Sequence, residues 1–428
     1  MEDKVNPSGS TGSRIFYGWW IVVLGALIQA VGAGILVHSF TVFFLPLKRD
    51  LGVSRAAVSL LFGAARLEGG AEGPLVGYLI DRFGPRLLLV IGACLAGIGL
   101  ILLSTVRSYL AFFLIYVLIV SVGSNAGFFH PVSAAVNNWF IRRRGICFAI
   151  ITASGNVGGM VMAPVLSYLI LGFGWRIAAI IAGSIILIVA LPAAARIHRS
   201  PEVRGLYPDG RPPSQDDVGS RDPVSHSATP EVHLTVKEAL RTLTFWLLSL
   251  GITLRILVTM GLTIHLVPIL VWKGMDEVTS AYLVSLFAFS NIVTMLTMGW
   301  LGDRWNKALL CGAGALASIV AMLALVFVRS TATLYAFPIG LALTMGTNPL
   351  NWALIGDLFG RRSYATLRGI MGIGYGFSTF LSPIYAGWIF DQTGSYTIAL
   401  FTFSFILLIA AFCFYRLRHR APGKGVTV

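Results

Sequence analysis

Three charged side chains lie close together in a segment that is otherwise apolar. Arg66, Glu68 and Glu72 fall within the run from Leu60 to Arg86, whose first part predicts a membrane-spanning helix. An ionised side chain near the centre of a bilayer costs about 2.5 to 3.5 kcal/mol on insertion scales, so such residues persist mainly where they face a protein interior or a watery cavity. We therefore expect a guanidinium that holds an anion and carboxyls that carry a proton.

Glu68 and Glu72 are the candidates for proton coupling. At a spacing of four they stack on one face of a helix, and repulsion between two poorly solvated carboxylates favours keeping a proton on one of them. Arg66 lies on roughly the opposite face of the helix, so it cannot neutralise both glutamates. Partners for Glu68 and Glu72 must come from other helices. If an anion entered the site, a proton taken up by one glutamate would balance the charge. The alternative is an ion pair that only holds helices together.

Arg255 is the other basic residue at comparable depth in an apolar segment. It could neutralise the glutamates, and with Arg66 it is the candidate for holding an anion. Polar side chains of other segments could complete the site, although each also has a structural explanation: a histidine satisfied within a core, or an asparagine that repairs a helix broken by proline. These further candidates for substrate binding are His130, His265, Asn125, Asn291 and Asn348.

A short charged turn occurs twice in the chain. GYLIDRFGPR is echoed 222 positions later by GWLGDRWNK, which indicates two parallel copies of one unit. Charge-assisted hydrogen bonds from such turns would hold the ends of neighbouring helices together. The simpler explanation is a tight turn whose arginines fix the topology. The candidate gating residues are Asp81, Arg82, Gly84, Arg86, Asp303 and Arg304.

The composition is that of a membrane protein with many spans. Of 428 residues, 56% are hydrophobic and only 12% are charged, and the mean hydropathy is +0.80. A soluble core of this length cannot hide so many apolar residues. In a soluble protein the net charge of +14 would suggest a nucleic-acid partner. Here the basic residues lie mainly between apolar segments, on one side of the predicted membrane, so we expect no nucleic-acid partner. The four cysteines lie in apolar segments without ligand-like spacing, so we expect buried free thiols, no metal site and no cofactor.

The apolar runs predict an all-α membrane protein of twelve transmembrane helices in two six-helix repeats. They begin near Tyr17, Arg55, Leu87, Tyr109, Ile146, Arg176, Leu243, Val278, Ala308, Leu334, Gly369 and Tyr396. The polar gap between the repeats is typical of a disordered linker, and it ends in a capping-box pattern, Thr235 with Glu238. The predicted divisions are a tail at 1–16, a bundle at 17–197, a linker at 198–242, a bundle at 243–416 and a tail at 417–428.

The basic residues predict which side of the membrane each end occupies. Of the 32 lysines and arginines, 23 lie on the side of both termini and the linker, and seven lie on the other. The positive-inside rule places the richer side in the cytoplasm. We expect a multi-pass monomer of the cell (inner) membrane, embedded in the lipid bilayer. The richer side includes Arg142, Arg143, Arg144, Arg361, Arg362 and Arg368.

The pattern G-x-x-x-D-R-x-G-x-R, its weaker copy and twelve spans split by a linker resemble the major facilitator superfamily over the whole chain. FYGWW from Phe16, FFHPVSAAVNNWFIRRRG ending at Gly145 and DLFGRRSYATLRGIMG from Asp357 are similar to its bacterial monocarboxylate porter and oxalate:formate antiporter branch. The resemblance implies alternating access, with charged turns that break when the carrier opens inward. It also implies a basic residue in span eight, where this chain has Asn291 and no Arg or Lys.

We expect a carrier that moves a small organic anion, a monocarboxylate, together with a proton. One alternative is an efflux antiporter for drugs or cations, in which Glu68 and Glu72 would bind the cation directly. Another is a non-transporting sensor on the same scaffold. An enzyme is not expected, since no nucleophile–base constellation or nucleotide-binding loop occurs in a suitable context.

Overall fold

A computed structural model describes residues 16–38, 40–52, 55–211, 234–328 and 330–418. These ranges are almost wholly helical. Within them, nine helices are long and apolar enough to cross a membrane by length and composition. Three further helical segments complete the predicted set of twelve: one carries several charges, one is interrupted, and one contains many small and polar residues.

The helices fall into two halves of six. In the first half they are Tyr17–His38 (span one), Arg55–Phe83 (span two), Pro85–Leu103 (span three), Tyr109–Trp139 (span four), Arg144–Phe173 (span five) and Trp175–Ala195 (span six), with a shorter helix at Phe40–Asp50. In the second half they are Leu243–Ile264 (span seven), Glu277–Gly302 (span eight), Lys307–Phe327 (span nine), Thr331–Gly346 continued by Asn348–Phe359 (span ten), Tyr364–Thr393 (span eleven) and Thr397–Leu417 (span twelve). Short helices at Leu266–Trp272 and Val236–Leu240 flank span seven.

The predicted starts lie close to the observed ones, and span eleven differs most. It begins at Tyr364 rather than near Gly369. The polar residues Thr366 and Arg368, which lower the local hydropathy, belong to its first turns because they are buried against the other half.

Two spans are irregular where proline occurs. In span four, the segment Asn125–Phe129 has wider π-helical turns and is followed by Pro131. Span ten is interrupted at Thr347, directly before Asn348 and Pro349. A proline ring removes a backbone donor and displaces the preceding turn, so these breaks leave carbonyl groups that side chains can reach.

The linker is more ordered than its composition predicts. The segment 201–211 forms two short turns, and the Asp209 carboxylate accepts hydrogen bonds from the N–H groups of Ile141 (3.0 Å) and Arg142 (2.9 Å). Disorder is therefore wrong for this segment, because the loop between spans four and five needs acceptors that the linker supplies. The predicted capping box of Thr235 and Glu238 is confirmed. The remainder, 212–233, lies outside the described residues.

The two halves meet along two helix pairs, spans two with eleven and spans five with eight. Glycines permit the close approach: a Cβ on Gly73 would lie 2.8 Å from the carbonyl oxygen of Gly369, and one on Gly299 would lie 2.7 Å from that of Gly145. We call the end of the molecule that carries these contacts and the linker the linker side. Of the cysteines, Cys94 is partly exposed, and the other three are buried as predicted.

Candidate functional site

Arg255 is a buried cation surrounded by neutral acceptors. Its side chain lies in span seven, and the residue is 2% exposed. Nη1 donates to the carbonyl of Thr344 (3.2 Å), and Nη2 donates to Oδ1 of Asn348 (2.9 Å). With the Asn351 amide oriented to satisfy its neighbours, the amide oxygen accepts from Nε (3.2 Å) and Nη2 (2.7 Å). Within the described ranges the guanidinium has no carboxylate partner, so its charge is not compensated.

The break in span ten explains this arrangement. Thr344 lies in the last turn of one segment of the helix, and Asn348 and Asn351 lie in the first turn of the next. Pro349 at the start of the second segment has no N–H to continue the ladder, so the chain turns at Thr347 and presents side-chain and backbone oxygens to span seven. The predicted role of Asn348 beside a broken helix therefore coincides with a contact to Arg255.

Glu68 and Glu72 form a carboxyl pair that span four completes. The Oε2 atom of Glu68 accepts from the Ser121 hydroxyl (2.7 Å) and from the Asn125 amide (3.2 Å). The two carboxyls are neighbours one helical turn apart, with Asn125 beside both. A proton on one of them would allow it to donate to the other, because ionised carboxylates only accept. Arg255, which the sequence suggests as a basic partner for the pair, bonds to span ten instead.

Span eleven packs between the helices that carry the carboxyl pair and Arg255. On one side, a Cβ on Gly70 of span two would be 3.5 Å from the Cα of Gly376. On the other, the Ser378 hydroxyl donates to the carbonyl of Thr253 in span seven (3.2 Å). Residues two apart on a helix project to nearly opposite faces. The candidates therefore point away from span eleven, Glu68 toward span four and Arg255 toward span ten.

The other predicted substrate residues differ in their surroundings. His265 has both ring nitrogens engaged, with the Tyr396 hydroxyl (2.9 Å) and the Pro383 carbonyl (3.0 Å), which ties spans seven, eleven and twelve together. The amide oxygen of Asn291 and Nδ1 of His130 are buried without a hydrogen-bond partner among the described residues. Arg66 belongs to the helix of span two, but its side chain lies outside the described part of the chain.

The predicted gating aspartates each bind the start of a helix in the opposite half. Asp81 accepts from the N–H of Ala365 (3.2 Å) and from the N–H and hydroxyl of Thr366 (2.9 and 2.6 Å), at the start of span eleven. Asp303 accepts from the N–H of Gly145 (2.6 Å) and of Ile146 (3.0 Å), at the start of span five. A carboxylate there satisfies N–H groups that have no partner within the helix.

We call each of these aspartates, together with the helix start that it binds, a latch. Burial changes the pKa of the carboxyl in the Asp303 latch. It raises the pKa of the Asp303 carboxyl from 3.8 to about 6, because it outweighs the lowering effect of the neighbouring N–H groups and of Lys307. The carboxyl is therefore mostly ionised at neutral pH, and it becomes protonated under mild acid.

In the part of the chain that the structure describes, the arginines and the glycine of the two turns make no hydrogen bond or ion pair between the halves. Arg82 donates to the Tyr78 hydroxyl of its own helix (3.1 Å), and the Arg304 guanidinium lies 3.6 Å from the centre of the Trp300 ring. Gly84 has φ +89°, a conformation that favours glycine, and it begins span three. Arg86 is exposed.

Two buried arginines at the linker side were not among the predicted site residues. Arg144 pairs with Asp357 of the other half (2.9 Å), and Lys307 pairs with the same carboxylate (2.8 Å). Arg368, which is 2% exposed, donates to the Phe129 carbonyl across the halves (2.9 Å). The positive-inside rule assigns both arginines to topology. The available signal was the position of Arg368 directly before the apolar run of span eleven.

Comparison with known proteins agrees with this architecture. The sequence pattern of the Major Facilitator Superfamily matches residues 22–366 and, in a second match, 273–427. The chain is 24% identical to monocarboxylate transporter 12 of Xenopus laevis, over 92% of this chain and 87% of that protein. It is 28% identical to the oxalate:formate antiporter of Oxalobacter formigenes, over 43% of each. The crystal structure of a single-residue variant of the E. coli fucose:proton symporter FucP superimposes with a TM-score of 0.68 at 14% identity, over 95% of this chain and 99% of that one. The chain belongs to the major facilitator superfamily, and it is a membrane transporter of small solutes rather than an enzyme.

Proposed function

We propose that this transporter moves a small organic anion, a monocarboxylate, together with a proton. The observation that carries the proposal is the uncompensated charge of Arg255. Burying a cation without a counter-ion is costly, and neutral acceptors recover only part of that cost. A bound carboxylate would supply the missing negative charge and could pair with the planar guanidinium.

The carboxyl pair supports proton coupling. Glu68 and Glu72 lie one helical turn apart, and their contacts in span four, Ser121 and Asn125, are neutral donors. When an anion arrives at Arg255, a proton taken up by the pair balances the added negative charge. Release of the anion from Arg255 and of the proton from the glutamates on the other side of the membrane completes the transport cycle.

The matched relatives support the substrate class. One is named a monocarboxylate transporter and another an oxalate:formate antiporter. Both names describe carriers of small carboxylates. The uncompensated guanidinium in span seven fits such a solute better than it fits a cation.

Alternating access explains the contacts between the halves. The described structure is held together at the linker side by Asp81 and Asp303, each of which binds a helix of the opposite half. We infer that the bundles 17–197 and 243–416, joined by the linker 198–242, rock about a central site so that these contacts break and re-form. We propose that the linker side and both termini are cytoplasmic and that the protein lies in the cell (inner) membrane, and the excess of basic residues on that side supports this orientation.

Transport of labelled lactate into proteoliposomes tests the proposal. An inward proton gradient should drive uptake, and Arg255→Ala should reduce it about thirtyfold or more, since losing one partner of a buried charge contact costs at least about 2 kcal/mol. Arg255→Lys should retain part of the activity, because it keeps the charge without the planar fork. Arg416→Ala, at an exposed position in span twelve, is the control.

The outcomes separate the alternatives. Lactate uptake that is unaffected by Arg255→Ala removes this residue from the site. Proton-driven export of cationic dyes, with no lactate uptake, favours an efflux antiporter in which the glutamates bind the cation. A signalling phenotype without flux of either solute favours a sensor.

A further inference from the structure

Four polar groups at the linker side are buried but have no hydrogen-bond partner among the described residues. Each is a nitrogen or hydroxyl that can donate a hydrogen bond. We call them the inner donor cluster. They are Nε of Arg368, the hydroxyl of Tyr364, Nε1 of Trp352 and Nδ1 of His130.

The cluster draws on both halves of the molecule. Arg368 and Tyr364 are one turn apart on span eleven. The guanidinium lies 4.4 Å from the centre of the Trp352 ring in span ten and 5.3 Å from that of Phe129 in span four. Its Nη1 donates to the Phe129 carbonyl (2.9 Å), and His130 follows directly in the chain. Opening of the linker side would separate span four from spans ten and eleven and expose the cluster.

The nearby carboxylates are committed to other partners. Asp81 accepts from Thr366, and Asp357 is paired with Arg144 and Lys307. Within the described ranges, Arg368 has no ion-pair partner. The cluster therefore combines an uncompensated guanidinium with several unused donors, which is the chemistry that binds a carboxylate or a similar small anion.

The cluster also lies on a route that an anion could follow. Tyr375 of span eleven lies near both Arg255 and Arg368. On the other side, Tyr364 is part of the wall of a cavity of about 780 Å³ at the linker side. The basic residues that line this cavity are Arg82, Arg199, Arg361 and Arg362. Arginine side chains thus occur at Arg255, at Arg368 and at the linker-side surface, where the cavity also contains Asp81 and Glu202, the latter paired with Arg361.

We propose that the inner donor cluster is a second anion-binding site, which the solute occupies between Arg255 and the linker-side cavity once that side has opened. Opening breaks the bond from Arg368 to the Phe129 carbonyl and adds Nη1 to the available donors. The proposal rests on the proposed function, because it assumes that the solute is an anion. It assigns Arg368 a role in exchange with one side of the membrane only.

The proposal is tested by measuring KM for lactate separately at each side of the membrane. Initial rates of labelled lactate transport are measured in inside-out and right-side-out membrane vesicles, with orientation verified by protease access to the linker. Arg368→Gln should raise KM for lactate presented at the linker side about tenfold or more, as loss of a charge-assisted contact does. KM at the opposite side should change less than about twofold.

A purely structural role for Arg368 predicts the opposite sign. Its bond to Phe129 holds the linker side closed, so its loss would populate the linker-open state and lower KM at that side, since apparent affinity scales with the population of the competent state. An unchanged or lowered linker-side KM in Arg368→Gln therefore overturns the proposal.

Two conservative variants provide a second test if the Arg368→Gln variant does not fold. Tyr364→Phe and Trp352→Phe each remove one donor while they preserve an aromatic ring, and each should raise the linker-side KM about two- to fivefold. Arg416→Gln is the charge-matched control and should leave both constants unchanged. If the wild type transports lactate and neither Phe variant alters the linker-side KM, the second site is refuted while the proposed function stands. If the wild type transports no lactate from either side, the proposed function fails and this inference fails with it.

Discussion

The proposed coupling depends, at the residue scale, on the glutamates and on Arg255, which do not touch. Glu68 accepts from the neutral donors Ser121 and Asn125, and Arg255 is a cation without a counter-ion among the described residues. A carboxyl pair can gain or lose a proton, and an uncompensated guanidinium can gain an anion. In a medium of low dielectric constant, a change of charge at one group alters the electrostatic energy of the other.

Glutamine substitutions of the pair test this coupling. Glu68→Gln and Glu72→Gln keep the size of the side chain but cannot exchange a proton, so each should reduce accumulation of lactate driven by a pH gradient about tenfold or more. Exchange of internal for external lactate at equal pH needs no net proton movement and should persist. The measurement compares gradient-driven uptake with counterflow in the same proteoliposomes. Glu238→Gln, in the capping box before span seven, is the control, and accumulation like that of wild type in both site variants would contradict the coupling role.

At the level of elements, the two halves are latched by helix ends. Asp81, at the linker-side end of span two, binds the first turn of span eleven, and Asp303, after span eight, binds the first turn of span five. Each aspartate and the helix that it binds belong to opposite halves, so the two latches are related by the internal repeat. A helix start offers several N–H donors within one turn, so one carboxylate can bind two or more of them. All of these hydrogen bonds break together when the carboxylate moves away.

Removal of one latch should open the linker side. Asp81→Ala leaves the N–H groups of Ala365 and Thr366 without an acceptor, at a cost of about 1 to 3 kcal/mol, which is about a five- to 150-fold shift toward the linker-open state. Spectroscopic labels at the linker-side ends of spans two and eleven should report longer distances. Asp81→Asn retains one acceptor oxygen and should shift the distances less. Distances that stay as in the wild type in Asp81→Ala would remove this latch from the gate.

At the level of the whole molecule, the latch makes the balance of conformations depend on pH. The pKa of Asp303 is raised to about 6 where the latch is closed, and it should return toward 3.8 once the carboxyl is exposed to water. The closed state therefore binds a proton more tightly than the open state. The added stability of the closed state is largest at low pH and is lost as the pH rises through about 6.

Acidification should accordingly favour closure of the linker side. Between pH 7 and pH 5, the difference in the pKa of Asp303 between the two states corresponds to about a tenfold shift toward the closed state. Distances between labels at the linker-side ends of spans five and eight, recorded at both pH values, provide the measurement. Asp303→Asn cannot titrate, so its shift should be smaller than that of the wild type. Opening of the linker side at pH 5 would show that the sign is wrong.

Much of the architecture could be predicted because the bilayer imposes local rules. Twelve spans, the repeat of the charged turn and the capping box at Thr235 follow from runs of apolar residues and from patterns a few residues long. The exceptions are instructive. The start of span eleven was predicted too late, and the segment 201–211 was predicted to be disordered, because polar residues there are satisfied by contacts with distant parts of the chain.

Hydropathy and charge alone show where the chain crosses the membrane and which residues are too polar to lie there without a partner. Which of these residues meet became clear from the packing of the helices: Glu68 with Ser121 and Asn125, Asp81 with Thr366 at a separation of 285 residues, and Arg368 with the Phe129 carbonyl. Hydropathy and capping act within a few turns of one helix, whereas partners for buried charges depend on how helices from the two halves pack.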